Sequence, residues 1–102
     1  MKLLYCLHCG DAVMLRPERR SCLCGKSWGQ YLPDKSTTIQ TNDTVSIGLA
    51  NSDFREAVEA YLQERNHFSP ALSIRAWINP DSEPDVRYVA DEHTEENTDI
   101  NE

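Results

Sequence analysis

Cys6-x2-Cys9 and Cys22-x-Cys24 place four thiols within nineteen residues, as two close pairs about a hairpin's length apart. Paired thiols at that spacing let a short chain present four sulfurs to one tetrahedral ion, and zinc suits such a set. Glycine follows the second thiol of each pair at once, as Gly10 and Gly25. A tight turn that aims backbone amides at a bound thiolate often needs positive φ, which glycine adopts cheaply. A redox Cys-x-x-Cys would instead want its thiol at a helix N-terminus, whereas Cys9 runs into Gly-Asp and a strand-like segment. A catalytic zinc keeps one coordination position open, and four thiolates would close it. The set therefore reads as structural zinc held by Cys6, Cys9, Cys22 and Cys24, with His8 turned away from the metal.

A second group of residues could hold an anion. Arg16, Arg19, Arg20 and Lys26 lie close in sequence to Trp28 and Tyr31. Cations beside aromatic faces can grip a phosphate while a base stacks on the ring. The competing reading leaves the arginines on a solvated turn and spends the aromatics on packing. Asn51 opens a helix-like segment, where free backbone amides could bind an anion or simply be capped. No nucleophile stands beside a base, and no glycine run cradles a phosphate. A binding protein is expected, not an enzyme.

To hold these groups the chain must fold as a ribbon at its start. Lys2–Cys6 and Ala12–Leu15 read as strands, residues 16–20 as the reversing turn, and Trp28–Leu32 as a third strand. Thr37–Thr41 and Val45–Leu49 are β-branched runs around Asn42-Asp43, a hairpin-like signal. Asn51-Ser52-Asp53 supplies capping groups, with Glu56 in capping-box spacing from Asp53. Phe54, Ala57, Val58, Tyr61 and Leu62 then recur at helical steps along one apolar face. Leu72–Asn79 alternates as a half-buried strand, with Leu72, Ile74, Ala76 and Ile78 on one side and Arg75 and Trp77 on the other, and Val86–Ala90 is a last short strand. The expected fold class is α+β: a zinc ribbon over 1–35, packed on a body over 36–90 with a small antiparallel sheet and one helix. Residues 91–102 carry six acids, no Lys or Arg, and a single aliphatic residue, and are expected to form a disordered acidic tail.

Mapping the net charge of −7 changes its meaning. Without those six acids, eleven acids oppose ten bases, and residues 1–35 alone hold six bases against three acids. A mildly basic ribbon on a nearly neutral body lacks the sustained positive field that attracts nucleic acid, which argues against that partner and leaves nucleic-acid binding through the ribbon as the weakest of three expected functions. No apolar run approaches the roughly 20 residues that span a bilayer, so no membrane role is expected. Leu3–Leu7 is too short for the apolar core of a secretory signal. A cytoplasmic location is the expectation, and in a reducing compartment clustered cysteines favour metal over disulfides.

The stretches Cys6-Leu-His-Cys-Gly-Asp, Arg20-Ser-Cys-Leu-Cys-Gly-Lys-Ser, Gly29-Gln-Tyr and Ile47-Gly-Leu-Ala-Asn-Ser-Asp-Phe54 carry a resemblance. Over residues 1–60 the chain resembles a group of small bacterial and phage proteins with an N-terminal four-cysteine zinc ribbon. No activity is attached to that group, so the resemblance implies only the ligands Cys6, Cys9, Cys22 and Cys24. A phage connection implies a small protein that blunts a host process by binding something. Two binding functions are therefore expected to compete. One is an inhibitor or adaptor that docks on a host protein through the ribbon or a strand edge. The other is an anti-defence sponge for a phosphorylated signalling nucleotide, with Arg16, Arg20 and Lys26 on phosphates and Trp28 or Tyr31 on the base. A homo-oligomer would help the second, because an 11.6 kDa chain offers little concave surface.

Overall fold

A computed structural model describes residues 1–90; the expected acidic tail over 91–102 lies outside the described residues. The chain is α+β, with one helix and two four-stranded sheets. Its elements are β1 (Lys2–Cys6), β2 (Ala12–Met14), β3 (Arg20–Ser21), β4 (Trp28–Tyr31), β5 (Thr38–Thr41), β6 (Thr44–Leu49), α1 (Asn51–Gln63), a 3₁₀ turn (Pro70–Leu72), β7 (Ala76–Ile78) and β8 (Val86–Val89). The first sheet runs β2-β1-β6-β7 and is antiparallel throughout. The second runs β3-β4-β5-β8, and β8 joins β5 in parallel. A single small antiparallel sheet was the expectation. Both sheets instead draw strands from either side of residue 35, so ribbon and body share their hydrogen-bond ladders.

The two β-branched runs around Asn42-Asp43 do not pair with each other. β5 bonds to β4 and β8, β6 bonds to β1 and β7, and the turn carries the chain from one sheet to the other. Alternation tells which residues share a face; it does not tell whether two strands joined by a tight turn lie side by side or face to face.

The sheets meet through Leu4 and Leu15, whose methyl groups lie against Gly29, and through Tyr31, whose hydroxyl accepts the Lys2 N–H at 3.0 Å. The apolar core is small, made of Leu4, Cys6, Val13, Leu15 and Cys22 with Tyr31 against them. Away from the cysteines the space between the sheets is polar. Gln40 Nε2 donates to Thr44 Oγ1 at 2.8 Å, and Asn79 Nδ2 donates to Ser46 Oγ at 3.0 Å. Thr38 Oγ1 and Gln40 Oε1 are buried there without a partner among the described residues.

The apolar residues missing from the interior stand on the opposite face of the first sheet. Strand register puts Met14, Leu3, Ile47 and Ile78 in one row across all four strands, and Ala12, Tyr5 and Val45 in the next. Side chains on a strand alternate between faces, so this face carries no charged group.

Two local expectations change. The helix begins at Asn51 with Ala50 as its N-cap and no side-chain cap, so the capping box is not made. Asp53 sits one turn in and accepts Arg75 N–H at 2.9 Å and Arg75 Nε–H at 2.8 Å, tying the helix to the approach to β7. The Leu72–Asn79 strand shrinks to Ala76–Ile78, and its faces are the reverse of what a buried aliphatic side would give: Trp77 and Asn79 stand on the inner face, Asn79 buried and Trp77 49% exposed, while Ile78 on the outer face is 67% exposed. Gly48 explains the reversal. It stands opposite Trp77 and leaves the room that the indole fills, and Trp77 Nε1 donates to Asn79 Oδ1 at 2.9 Å. Gly48→Val should overlap the indole and cost about 1–3 kcal/mol, measured as a loss of chemical stability. In a Trp77→Ala background the same change should cost much less; equal losses in both backgrounds would reject the packing account.

Candidate metal centre

Cys6 ends β1 and Cys22 follows β3, so the first sheet delivers one thiol pair and the second sheet the other. The two loops close alike. Cys6 N–H reaches Asp11 O at 2.9 Å and Cys22 N–H reaches Ser27 O at 3.0 Å. Inside each loop the glycine amide turns back onto the first cysteine's carbonyl, Gly10 to Cys6 at 2.9 Å and Gly25 to Cys22 at 3.0 Å. Both glycines hold positive φ, +76° and +78°, as their place after each pair predicts.

All four Sγ atoms lie within 4.8 Å of one another and none is in a disulfide. Cys6 Sγ is 3.8 Å from Cys24 Sγ, and Cys22 Sγ is 3.4 Å from Cys24 Sγ. With metal–sulfur bonds of about 2.3 Å, a tetrahedron of sulfurs has edges of roughly 3.8 Å. The cluster has the dimensions of a metal site.

Its electrostatics point the same way. Burial pushes the Cys6 thiol up, but the Ser27 hydroxyl and the backbone amides of Cys9 and His8 bring it down to about 6. The His8 amide is 3.3 Å from that sulfur. The Lys26 backbone amide favours a Cys24 thiolate, yet burial and its three sulfur neighbours push Cys24 up to about 12. Four thiols this close cannot all ionise side by side, because each thiolate raises the cost of the next. A divalent cation removes that conflict and turns the cluster into a four-thiolate ligand set.

Around the sulfurs stands a group that sequence spacing does not reveal. Asp43, in the turn between β5 and β6, accepts the Leu7 N–H on its carbonyl at 3.0 Å. Its carboxylate pairs with His8 Nε2, so the imidazole faces Asp43 and not the sulfurs. Burial raises the Asp43 pKa, and the neighbouring Thr41, Ser27 and His8 side chains more than offset it, leaving the group lowered. Ser27 Oγ in turn lies 3.3 Å from Cys6 Sγ. Across the site, Asp11 Oδ2 accepts the Leu23 N–H at 2.8 Å and ties the first loop to the second. Asp11 and Ser27 hold equivalent places, five residues after Cys6 and Cys22, and that repeat was readable. Asp43 comes from far along the chain and was not.

The expected anion-binding residues other than Asn51 lie on or beside strands β3 and β4, and their side chains are differently engaged. Arg19, not Arg20, covers Trp28, its guanidinium carbon 3.7 Å from the ring centroid. Tyr31 packs on the core with its hydroxyl engaged by Lys2. The Arg16 carbonyl accepts the Tyr31 N–H at 2.8 Å, while the Arg16 side chain is solvent-exposed. Arg20 and Lys26 are exposed beside the second cysteine loop. Asn51 starts the helix at the end of β6 remote from Cys6, because Cys6 pairs with Thr44 and Lys2 with Gly48. No helix among the described residues is long and apolar enough to cross a membrane. No family of known proteins, no curated protein and no solved structure matches the chain, so the chemistry of the site rests on its own geometry.

Asp43→Ala removes the carboxylate that pairs with His8, between the two cysteines of the first loop, while leaving every sulfur in place. Metal affinity, measured by competition with a chromophoric chelator, should fall about 10–100-fold. An unchanged affinity would mean that Asp43 has no part in organising the site.

Proposed function

We propose that the chain is a zinc ribbon protein that acts by stoichiometric binding, as an inhibitor or adaptor docked on a partner protein. Zinc is the assignment because four thiolates in a closed tetrahedron suit an ion without redox chemistry or d-electron geometry. The metal is structural: each of the four sulfurs is a ligand and none is left as a free nucleophile, and the chain is read as a binding protein, not an enzyme. Free thiols of this kind favour a reducing compartment such as the cytoplasm.

The observation that carries the docking reading is what the two cysteine loops present to solvent. Leu7 is 61% exposed and Leu23 is 87% exposed, each beside a ligand cysteine in a loop closed by its own hydrogen bonds. Arg20 and Lys26 flank the second tip, and neither pairs with a carboxylate among the described residues. Rigid apolar tips with unpaired cations beside them suit a protein surface that offers an apolar pocket rimmed by acids. On the resemblance to phage proteins, that partner would be a host protein. Sequestering a phosphorylated nucleotide has less support, because Arg19 covers the Trp28 ring and Tyr31 is spent on the core.

Native mass spectrometry should find one zinc per chain, and a strong chelator should abolish the cooperative thermal transition. A metal-free chain that melts unchanged would sink the zinc assignment. For docking, a host protein retained by the wild-type chain should be lost from Leu23→Glu at unchanged zinc content. Identical capture by both chains would remove the loop tips from recognition.

A further inference from the structure

The outer face of the first sheet is more apolar than the interior it encloses. Its central row runs Met14–Leu3–Ile47–Ile78, while the inner face sets Ser46, Thr44 and Asn79 against Gln40 and Thr38. Helix α1 does not cover that outer face; within the chain it packs chiefly on the 3₁₀ turn at Pro70–Leu72. Only Ala57 of the helix is buried, and Val58, Tyr61 and Leu62 remain 52%, 45% and 55% exposed. One chain thus carries a sheet face with Tyr5, Met14 and Ile78 exposed and Leu3, Val45 and Ile47 half-buried, and an amphipathic helix whose stripe is about half exposed, two surfaces of the kinds that pack on one another.

We propose that the protein is a two-fold homodimer in which the apolar stripe of each α1 lies across the outer sheet face of the other copy. A second copy is the occupant because it brings both complementary surfaces at once, and two-fold symmetry then buries both pairs. Area supports this. Val58, Tyr61 and Leu62 on the helix and Tyr5, Met14 and Ile78 on the sheet are each 38–67% exposed, so both surfaces would contribute toward the roughly 800 Å² that each partner gives to a stable interface. Residues 91–102 are a poor alternative cover, since Ile100 is their one aliphatic residue. The dimer face is distinct from the cysteine loop tips, so the two surfaces can be tested separately.

The test is sedimentation equilibrium on the full-length, metal-loaded protein at micromolar concentrations. The wild type should be a dimer whose association is little affected by salt, as apolar burial predicts. Ile78→Glu strikes the sheet face and Leu62→Glu the helix stripe; both residues are more than half exposed, so either variant should fold and keep its metal. Each should raise the dimer dissociation constant roughly tenfold or more. A monomeric wild type would overturn the proposal, and it would do so without touching the zinc or docking readings. Dissociation by only one of the two variants would also overturn it, because helix and sheet must each be needed.

Discussion

The convergence of four sulfurs is the constraint on which the two sheets depend. Cys6 and Cys9 come from the end of the first sheet, Cys22 and Cys24 from the end of the second, and 3.8 Å separates Cys6 Sγ from Cys24 Sγ across the join. One ion bound there is a clamp between layers as well as a staple within a hairpin. The scale of the effects shows why a clamp is needed. Structural zinc in isolated fingers contributes roughly 10–16 kcal/mol at neutral pH. Against it stand buried polar atoms such as Thr38 Oγ1 and Gln40 Oε1, which cost about 1–3 kcal/mol each when unpartnered. A few leucines and a valine beside the cysteines do not make a core that outweighs such losses on its own.

The local parts of this arrangement were legible in the sequence. Thiol pairs, the glycines after them, the strands at Lys2–Cys6 and Trp28–Tyr31 and the helix over Asn51–Gln63 all announce themselves within a few residues. What stayed hidden is what depends on distant partners. Nothing near Asn42-Asp43 says that the turn passes between sheets, or that Asp43 ends against His8 and Leu7. Asp53 has the spacing of a capping residue, yet Arg75 offers it a bidentate partner and the helix starts before it. In β7 the alternation was legible and its orientation was not. The larger inward surface belongs to Trp77, but only Gly48 on the neighbouring strand makes room for it.

Apolar periodicity assigns the greasier face of a strand or helix to the interior, and that assumption fails here on β6, β7 and α1. Along β6, Val45 and Ile47 face outward while Thr44 and Ser46 face in, and on β7 Ile78 faces out beside Ile47. On α1 the stripe that should seek a core is left largely in water. Such a pattern is consistent when the interior is held by a metal and by paired hydrogen bonds. The hydrophobic surface is then free to serve an interface, which is worth roughly 25 cal/mol for each Å² removed from water.

Placing the cohesion of the fold in sulfur and hydrogen bonds also separates its two proposed contact surfaces. The leucine-tipped loops are held by the cysteine cluster and by Asp11 and Asp43, whose bonds reach Leu23 and Leu7 themselves. The outer sheet face is held by ladders that begin at the same cysteines: Cys6 pairs with Thr44, and the register continues outward to Gly48 opposite Trp77. With an ion bound at the sulfurs, tips and ladders would be held from the same points, Cys6 and Cys22. Its loss would leave Leu7 and Leu23 held by the loop closures and by the Asp43 and Asp11 bonds alone, and would at the same time unfasten the first sheet from the second.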